Sequence, residues 1–227
     1  GWTKVAASVA TQVNIRTQVD SSTTTNYGDL PAACEPGGTI RSYRGFIRAI
    51  NDANGANRSV NEVPLEQYLR AVIAKEMSPS WANDGINNAG AQALQAQAVA
   101  ARSYALAENR YSYARTCDMV CQYYGGAATR SSVAANFTRI EYPETDAAVL
   151  ANAGVVRRVG NVNGQIALTM FAASNGGWTI AGVGALMPFP AVIDEGDDTA
   201  GNPNYRWTTT LTGSAIARLA PYALQAA

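Results

Sequence analysis

Histidine is absent from this chain of 227 residues, and that gap closes more chemical routes than any other feature. It removes Ser-His-Asp and Cys-His nucleophile systems, histidine metal sites and imidazole-based pH switching. Acid–base chemistry therefore falls to carboxylates, Lys, Tyr or Cys. Charge is scarce as well: 15% of residues are Asp, Glu, Lys or Arg, against about 25% in ordinary globular domains. With 47% hydrophobic residues the chain can bury a sizeable core, and it reads as neither disordered nor coiled-coil. The 17 basic and 17 acidic side chains cancel, leaving no basic cluster that would displace counterions from nucleic acid. No apolar run approaches the ~20 residues of a membrane span. There is no signal peptide; the opening at Gly1-Trp2, in strand-like sequence, reads as a mature or trimmed form, so that lack says little about export. Cys34, Cys117 and Cys121 are too few for a disulfide-built scaffold. Cys117 and Cys121 stand four apart, within bridging reach if the segment turns tightly, and are otherwise two buried or reduced thiols.

What is present reads as an α+β fold: mixed helices and antiparallel strands around one main domain, with a β-rich N-terminal part. Residues 1–58 form that part, packed on a main domain of residues 59–227. Loose alternation over Val5–Val19, and the apolar residues Ile40, Phe46, Ile47 and Ile50 within Thr39–Ile50, predict strands. Asn51-Asp52-Ala53-Asn54-Gly55 is a turn into a third strand near Ser59–Val63. The period then changes. Leu65, Tyr68, Leu69, Val72 and Ile73 fall at helical spacing, Pro64 suits the first helical position, and Ser78-Pro79 stops the helix. Asn88 to Asn109 is a second, Ala-rich helix with Leu94, Ala98, Ala101 and Ala105 along one stripe. A short helix is expected over Thr145–Ala151. It precedes a hairpin with arms Val155–Val162 and Gln165–Ala172 around an Asn163-Gly164 type I′ turn. The chain ends in a strand over Tyr205–Leu211 and a helix over Ser214–Leu219.

Four places carry chemistry. Glu76 follows Ile73 by three residues, Val72 by four and Leu69 by seven, which sets a carboxylate on the apolar stripe of the first helix. A carboxyl in apolar surroundings resists ionising, as a general acid requires; a helix-end glutamate that snorkels to water or pairs with Lys75 or an arginine is the alternative. Arg102 borders the small-residue stripe of the second helix, where it either pairs with Glu76 or faces a cleft and awaits an anion. Ser174-Asn175-Gly176-Gly177 could bring backbone N–H groups close to a ligand, or be an ordinary strand-end turn. In Gln122-Tyr123-Tyr124-Gly125-Gly126, tyrosine faces suit sugar rings and Gln suits hydroxyls, although a Tyr pair also serves simple packing.

These residues belong to an ordered series of motifs. It runs from Val60-Asn61-Glu62-Val63-Pro64-Leu65 through Lys75-Glu76-Met77-Ser78-Pro79-Ser80-Trp81 and Ala100-Ala101-Arg102-Ser103-Tyr104-Ala105-Leu106 to Cys121-Gln122-Tyr123-Tyr124-Gly125-Gly126. Ser174-Asn175-Gly176-Gly177-Trp178-Thr179 and Pro203-Asn204-Tyr205-Arg206-Trp207 complete it. In this collinear set the chain resembles the SpoIID/LytB family, the stage II sporulation protein D-like peptidoglycan enzymes and amidase enhancers. The resemblance implies lytic cleavage of MurNAc–GlcNAc glycan strands, with Glu76 as a lone catalytic acid/base and 1,6-anhydro-MurNAc ends as product. Ordinary glycosidases need two carboxylates, whereas the MurNAc C6 hydroxyl can serve as an internal nucleophile. By the same resemblance Arg102, Tyr104, Gln122, Tyr124, Ser174, Asn175, Gly176 and Gly177 are expected to line the glycan groove, Arg102 binding a substrate carboxylate. Relatives often carry a longer, histidine-containing segment before the second cysteine of the Cys loop. Here Asp118-Met119-Val120-Cys121 is shorter, so no metal role carries over, no cofactor is implied, and Cys117 and Cys121 are expected to bridge. The alternative function is a non-catalytic glycan-binding enhancer of a cell-wall amidase. Either way the expected partner is peptidoglycan, and the expected location is extracytoplasmic, secreted or associated with the wall.

Overall fold

Ile47 and Val60 are the buried apolar residues of the first sheet. In a computed structural model, which describes residues 12–182, 189–199, 201–206 and 208–214, β1 (Gln12–Ile15), β4 (Phe46–Asn51) and β5 (Asn57–Glu62) form an antiparallel sheet in the order β1-β4-β5. A second antiparallel sheet has the order β2-β3-β6-β7, from Ala32–Cys34, Ile40–Ser42, Ala128–Arg130 and Thr138–Arg139. The single strand expected over Thr39–Ile50 is therefore two strands, one in each sheet. The break lies at Gly45, whose φ of +73° favours glycine, and a Cβ there would sit 2.1 Å from the Glu62 carbonyl oxygen. The N-terminal strand is formed over Gln12–Ile15; the earlier part of that expected run lies outside the described residues.

Three α-helices are described: α1 (Leu65–Glu76), α2 (Ala89–Ala107) and α3 (Pro143–Ala151). Pro64 takes the cap position just before α1 rather than the first helical position, and its carbonyl accepts the N–H groups of Gln67 and Tyr68. Leu69, Val72 and Ile73 of α1, Leu94, Ala98 and Ala101 of α2 and Val149 of α3 have no exposed surface, and the three helices pack against one another. Each large apolar side chain so removed from water contributes about 1.5–3 kcal/mol. Small residues bring backbones together here: a Cβ on Gly90 would lie 1.8 Å from the Trp81 carbonyl oxygen, so only glycine lets α2 start against the 3-10 turn Pro79–Asn83.

The chain divides into two compact units, Gly1–Met170 and Phe171–Ala227. The boundary expected at residue 58 falls inside β5, which pairs along its whole length with β4, and β3 pairs with β6 from far along the chain. The expected 155–172 hairpin reduces to one bridge, Arg158 with Ile166, flanked by the bonds Val159 N–H to Gln165 O and Ala167 N–H to Arg157 O. The reason is local. Asn161 bonds the Asn163 N–H through its side chain and the Gly164 N–H through its carbonyl, making a wider turn, and the positive φ falls at Gly160, not at Asn163-Gly164. In the second unit the strand expected over Tyr205–Leu211 is irregular at its described residues. There Asn202 bonds Asp197 and turns the chain through the Asn204 N–H. The helix expected over 214–219 lies outside the described residues but for its first position.

Candidate active site

Glu76 is the last residue of α1; Met77 already has extended geometry, with φ −137° and ψ 144°. The carboxylate consequently stands at the helix end, half-buried, rather than among the fully buried apolar residues one and two turns earlier. That corrects the expectation of a carboxyl sunk in the apolar stripe. Nor does it pair with Lys75 or an arginine: Glu76 makes no ion pair among the described residues, and its Oε1 accepts the backbone N–H of Tyr123 at 2.7 Å. Its Oε2 has no hydrogen-bond partner among the described residues. Two motifs 47 residues apart thus meet, the Lys75-Glu76-Met77 helix end and the Cys loop. The Lys75 ammonium lies 5.5 Å from the centre of the Tyr123 ring, which is 38% exposed.

The loop presenting that N–H is fastened from both sides. Cys117 and Cys121 form a disulfide with Cα atoms 5.5 Å apart, as expected from the resemblance. Gln122 is buried; its Oε1 accepts the Tyr68 hydroxyl at 2.8 Å and its Nε2 donates to the Ala101 carbonyl at 3.1 Å, tying the loop to α1 and α2. Tyr124 is buried beside Tyr68, ring centres 4.7 Å apart, and its hydroxyl donates to Asn61 Oδ1 at 2.7 Å. Burial pushes the phenols of Tyr68 and Tyr124 well above their usual range, with the negative charges of Glu108 and Glu76 adding to the effect at Tyr68. Both hydroxyls remain donors at any ordinary pH.

Gln122 is therefore a fixture of the loop, with both polar ends bonded to protein, and the Tyr124 hydroxyl is likewise taken by Asn61. Alternation along an extended segment puts residues i and i+2 on one side and i+1 on the other. With Gln122 and Tyr124 inward, Tyr123 is the one turned out beside Glu76. Tyr123 is the residue the site expectation passed over, and the inward burden of its two neighbours is the signal that could have found it.

Arg102 overturns its expected role more completely. Its side chain has no exposed surface. The guanidinium forms a two-pronged pair with Glu66, Nε to Oε1 at 2.9 Å and Nη2 to Oε2 at 2.6 Å, and donates further to Asn152 Oδ1 and the carbonyls of Val149 and Val155. No donor is left for a substrate carboxylate, and the partner is neither Glu76 nor a ligand but an acid at the other end of α1. Tyr104, half-buried on α2, donates its hydroxyl to Glu108 Oε1 at 3.1 Å.

Ser174, Asn175, Gly176 and Gly177 belong to the second unit and are described within it. The expected cradle of N–H groups exists, but a carboxylate of the chain fills it. Asp197 Oδ2 accepts from the Ser174 hydroxyl at 2.8 Å, the Asn175 N–H at 3.0 Å and the Gly177 N–H at 2.9 Å. Burial alone would raise the Asp197 carboxyl; the bonds from Ser174, Gly177, Asn175 and Gly176 outweigh it and hold the group below the usual aspartate range. These N–H groups are not open to an incoming ligand.

The first unit also holds a cavity of about 670 Å³, lined by residues of β4, β5, the first half of α1, the end of α2 and the 111–118 loop. Tyr68 and Tyr124 form part of its wall; Glu76 does not line it. Among the described residues no cluster of Cys, Asp and Glu is arranged to hold a metal ion.

The first unit thus combines an α+β arrangement with a helix-end carboxylate that accepts a backbone N–H two residues beyond the disulfide. Residues 53–158 match the family model SpoIID, described as stage II sporulation protein. The family is associated with cell-wall lytic activity. The matched stretch takes in Glu76, Arg102, Tyr104, the disulfide, Gln122, Tyr123 and Tyr124, and ends before Ser174. No curated protein and no solved structure gives a significant match to the chain.

Proposed function

We propose that this protein is a peptidoglycan lytic transglycosylase in which Glu76 acts alone as acid and base. The observation that carries the reading is the Glu76–Tyr123 hydrogen bond: one carboxyl oxygen is fixed by a backbone N–H while the other is left for chemistry. In its protonated form Glu76 donates a proton to the glycosidic oxygen as the bond from MurNAc C1 to that oxygen breaks. The resulting carboxylate then takes the proton of the C6 hydroxyl as the C1–O6 bond closes. Atoms balance without water, and the enzyme returns to its starting protonation. Holding the C6 hydroxyl next to C1 supplies the effective concentration that an external nucleophile would need. The exposed Tyr123 ring, with the Lys75 ammonium beside it, is the platform for a sugar face in this reading.

A polymer substrate in the cell wall implies an extracytoplasmic location, and the Cys117–Cys121 disulfide suits an oxidising compartment. No described helix is long and apolar enough to cross a membrane. The test is mass spectrometry of sacculi digested with the protein. The expected products carry 1,6-anhydro-MurNAc ends and vanish with Glu76→Gln. Ordinary reducing ends would mean hydrolysis instead. Binding to sacculi without any cleavage would point to the amidase-enhancer alternative.

A further inference from the structure

The Cys117–Cys121 ring lies where a reagent can reach it and where little of the fold depends on it. Both cysteines are half-buried, and Cys117 is among the residues lining the cavity of about 670 Å³, so a small thiol entering that space meets it. The two sulfurs are not equivalent. The backbone N–H of Cys117 points at the Cys121 sulfur, 3.3 Å away. A donor there stabilises a thiolate, and the sulfur that makes the better thiolate is the better leaving group in exchange. Cys117 is therefore the sulfur to be attacked and Cys121 the one to depart.

Opening the ring costs the fold little. The cysteines are four apart in sequence, and so short a ring takes little conformational freedom from the unfolded chain. The loop keeps its other ties when the bridge opens: Gln122 to the Tyr68 hydroxyl and the Ala101 carbonyl, and the Tyr124 hydroxyl to Asn61. What the ring does control is the backbone just beyond it. The Asp118 carbonyl, inside the ring, shares the Tyr124 N–H with the Gln122 carbonyl, at 3.2 and 2.7 Å. Tyr123, whose N–H reaches Glu76, lies between Gln122 and Tyr124.

We infer that Cys117–Cys121 is a reversible redox site that sets the Tyr123 N–H on Glu76, the closed ring being the competent form. A dithiol reductant attacks the Cys117 sulfur as a thiolate, the S–S bond breaks, and its electron pair leaves on Cys121. The reductant's second thiolate then displaces Cys117 from the mixed disulfide. Two electrons and the reductant's two protons end on the cysteines, and the reductant ends as its own disulfide. The effect on glycan cleavage rests on the role of Glu76 proposed above; the exchange and the movement of the Tyr123 N–H do not.

The test uses the whole protein carrying Cys34→Ser, which removes the exposed free thiol, in graded dithiothreitol without denaturant. Alkylation read by mass spectrometry is expected to rise from none to two blocked thiols while the amide NMR spectrum stays dispersed. The Tyr123 N–H signal is expected to move and its exchange with solvent to quicken about tenfold or more, both returning on reoxidation. Cleavage of sacculi is expected to fall about tenfold in the reduced protein and to recover likewise. The Cys117→Ser, Cys121→Ser protein is expected to give the reduced values with or without dithiothreitol. A bridge that yields only when the spectrum collapses, or a Tyr123 N–H unmoved by reduction, overturns the redox site. Equal cleavage in both states overturns the closed ring as the competent form. A Tyr123 response in a protein that cleaves nothing in either state supports the redox site and overturns the role of Glu76 instead.

Discussion

Arg102 and Glu76 sit on adjacent helices and have opposite uses. The arginine is fully enclosed and saturated by Glu66, Asn152 and carbonyl oxygens. Removing it strands a carboxylate whose only ion-pair partner among the described residues it was, and leaves four further bonded acceptors open. Arg102→Ala is therefore expected to lower unfolding free energy by about 3–5 kcal/mol in urea titrations. Arg102→Lys should recover little, since a point charge cannot reproduce the two-pronged bond. Glu76→Gln is the converse. An amide oxygen still accepts the Tyr123 N–H, so stability should change by less than about 1 kcal/mol while glycan cleavage falls about 100-fold or more. That Arg102 needed a partner was legible, because a buried guanidinium without one is untenable. Which partner was not, because α1 carries acids near both ends and spacing on one helix does not reveal how a second one crosses it.

At the scale of elements, the helices were readable and the short strands were not. α1 and α2 announce themselves through apolar residues repeating over several turns, whereas β2, β6 and β7, of three, three and two residues, are too brief to show a period. The split between β3 and β4 turned on one close approach. Gly45→Ala is expected to destabilise by roughly 2 kcal/mol or more, from the positive φ together with the clash against Glu62, and thermal unfolding would show it. The Cys loop makes a further case. A bridge closing so small a ring contributes only about 2 kcal/mol of chain entropy at most. Cys117→Ser with Cys121→Ser should therefore leave the fold standing at moderate urea. Cleavage should fall nonetheless, since the backbone that carries the Tyr123 N–H loses one of its two fastenings.

At the scale of the whole molecule, the second compact unit carries a carboxylate that ties its stability to pH. In the second, Asp197 is a buried anion serving four donors, with a folded-state carboxyl below the usual value. Its contribution is full above the unfolded-state value near pH 4 and is lost as pH falls through the lower folded value. The Trp178 environment, followed by fluorescence between pH 6 and 2, should change along that limb, and Asp197→Asn should flatten it. In the first unit α1 is tethered at both extremities, Glu66 to the α2 guanidinium and Glu76 to the Cys-loop backbone. Ten residues of rigid spiral separate the two tethers, so their angular phase is fixed as strictly as teeth on a shaft. A single alanine inserted after Ala71 would advance the far tooth by about 100°. With Glu66 still engaged, the carboxylate at the other extremity would miss its loop altogether.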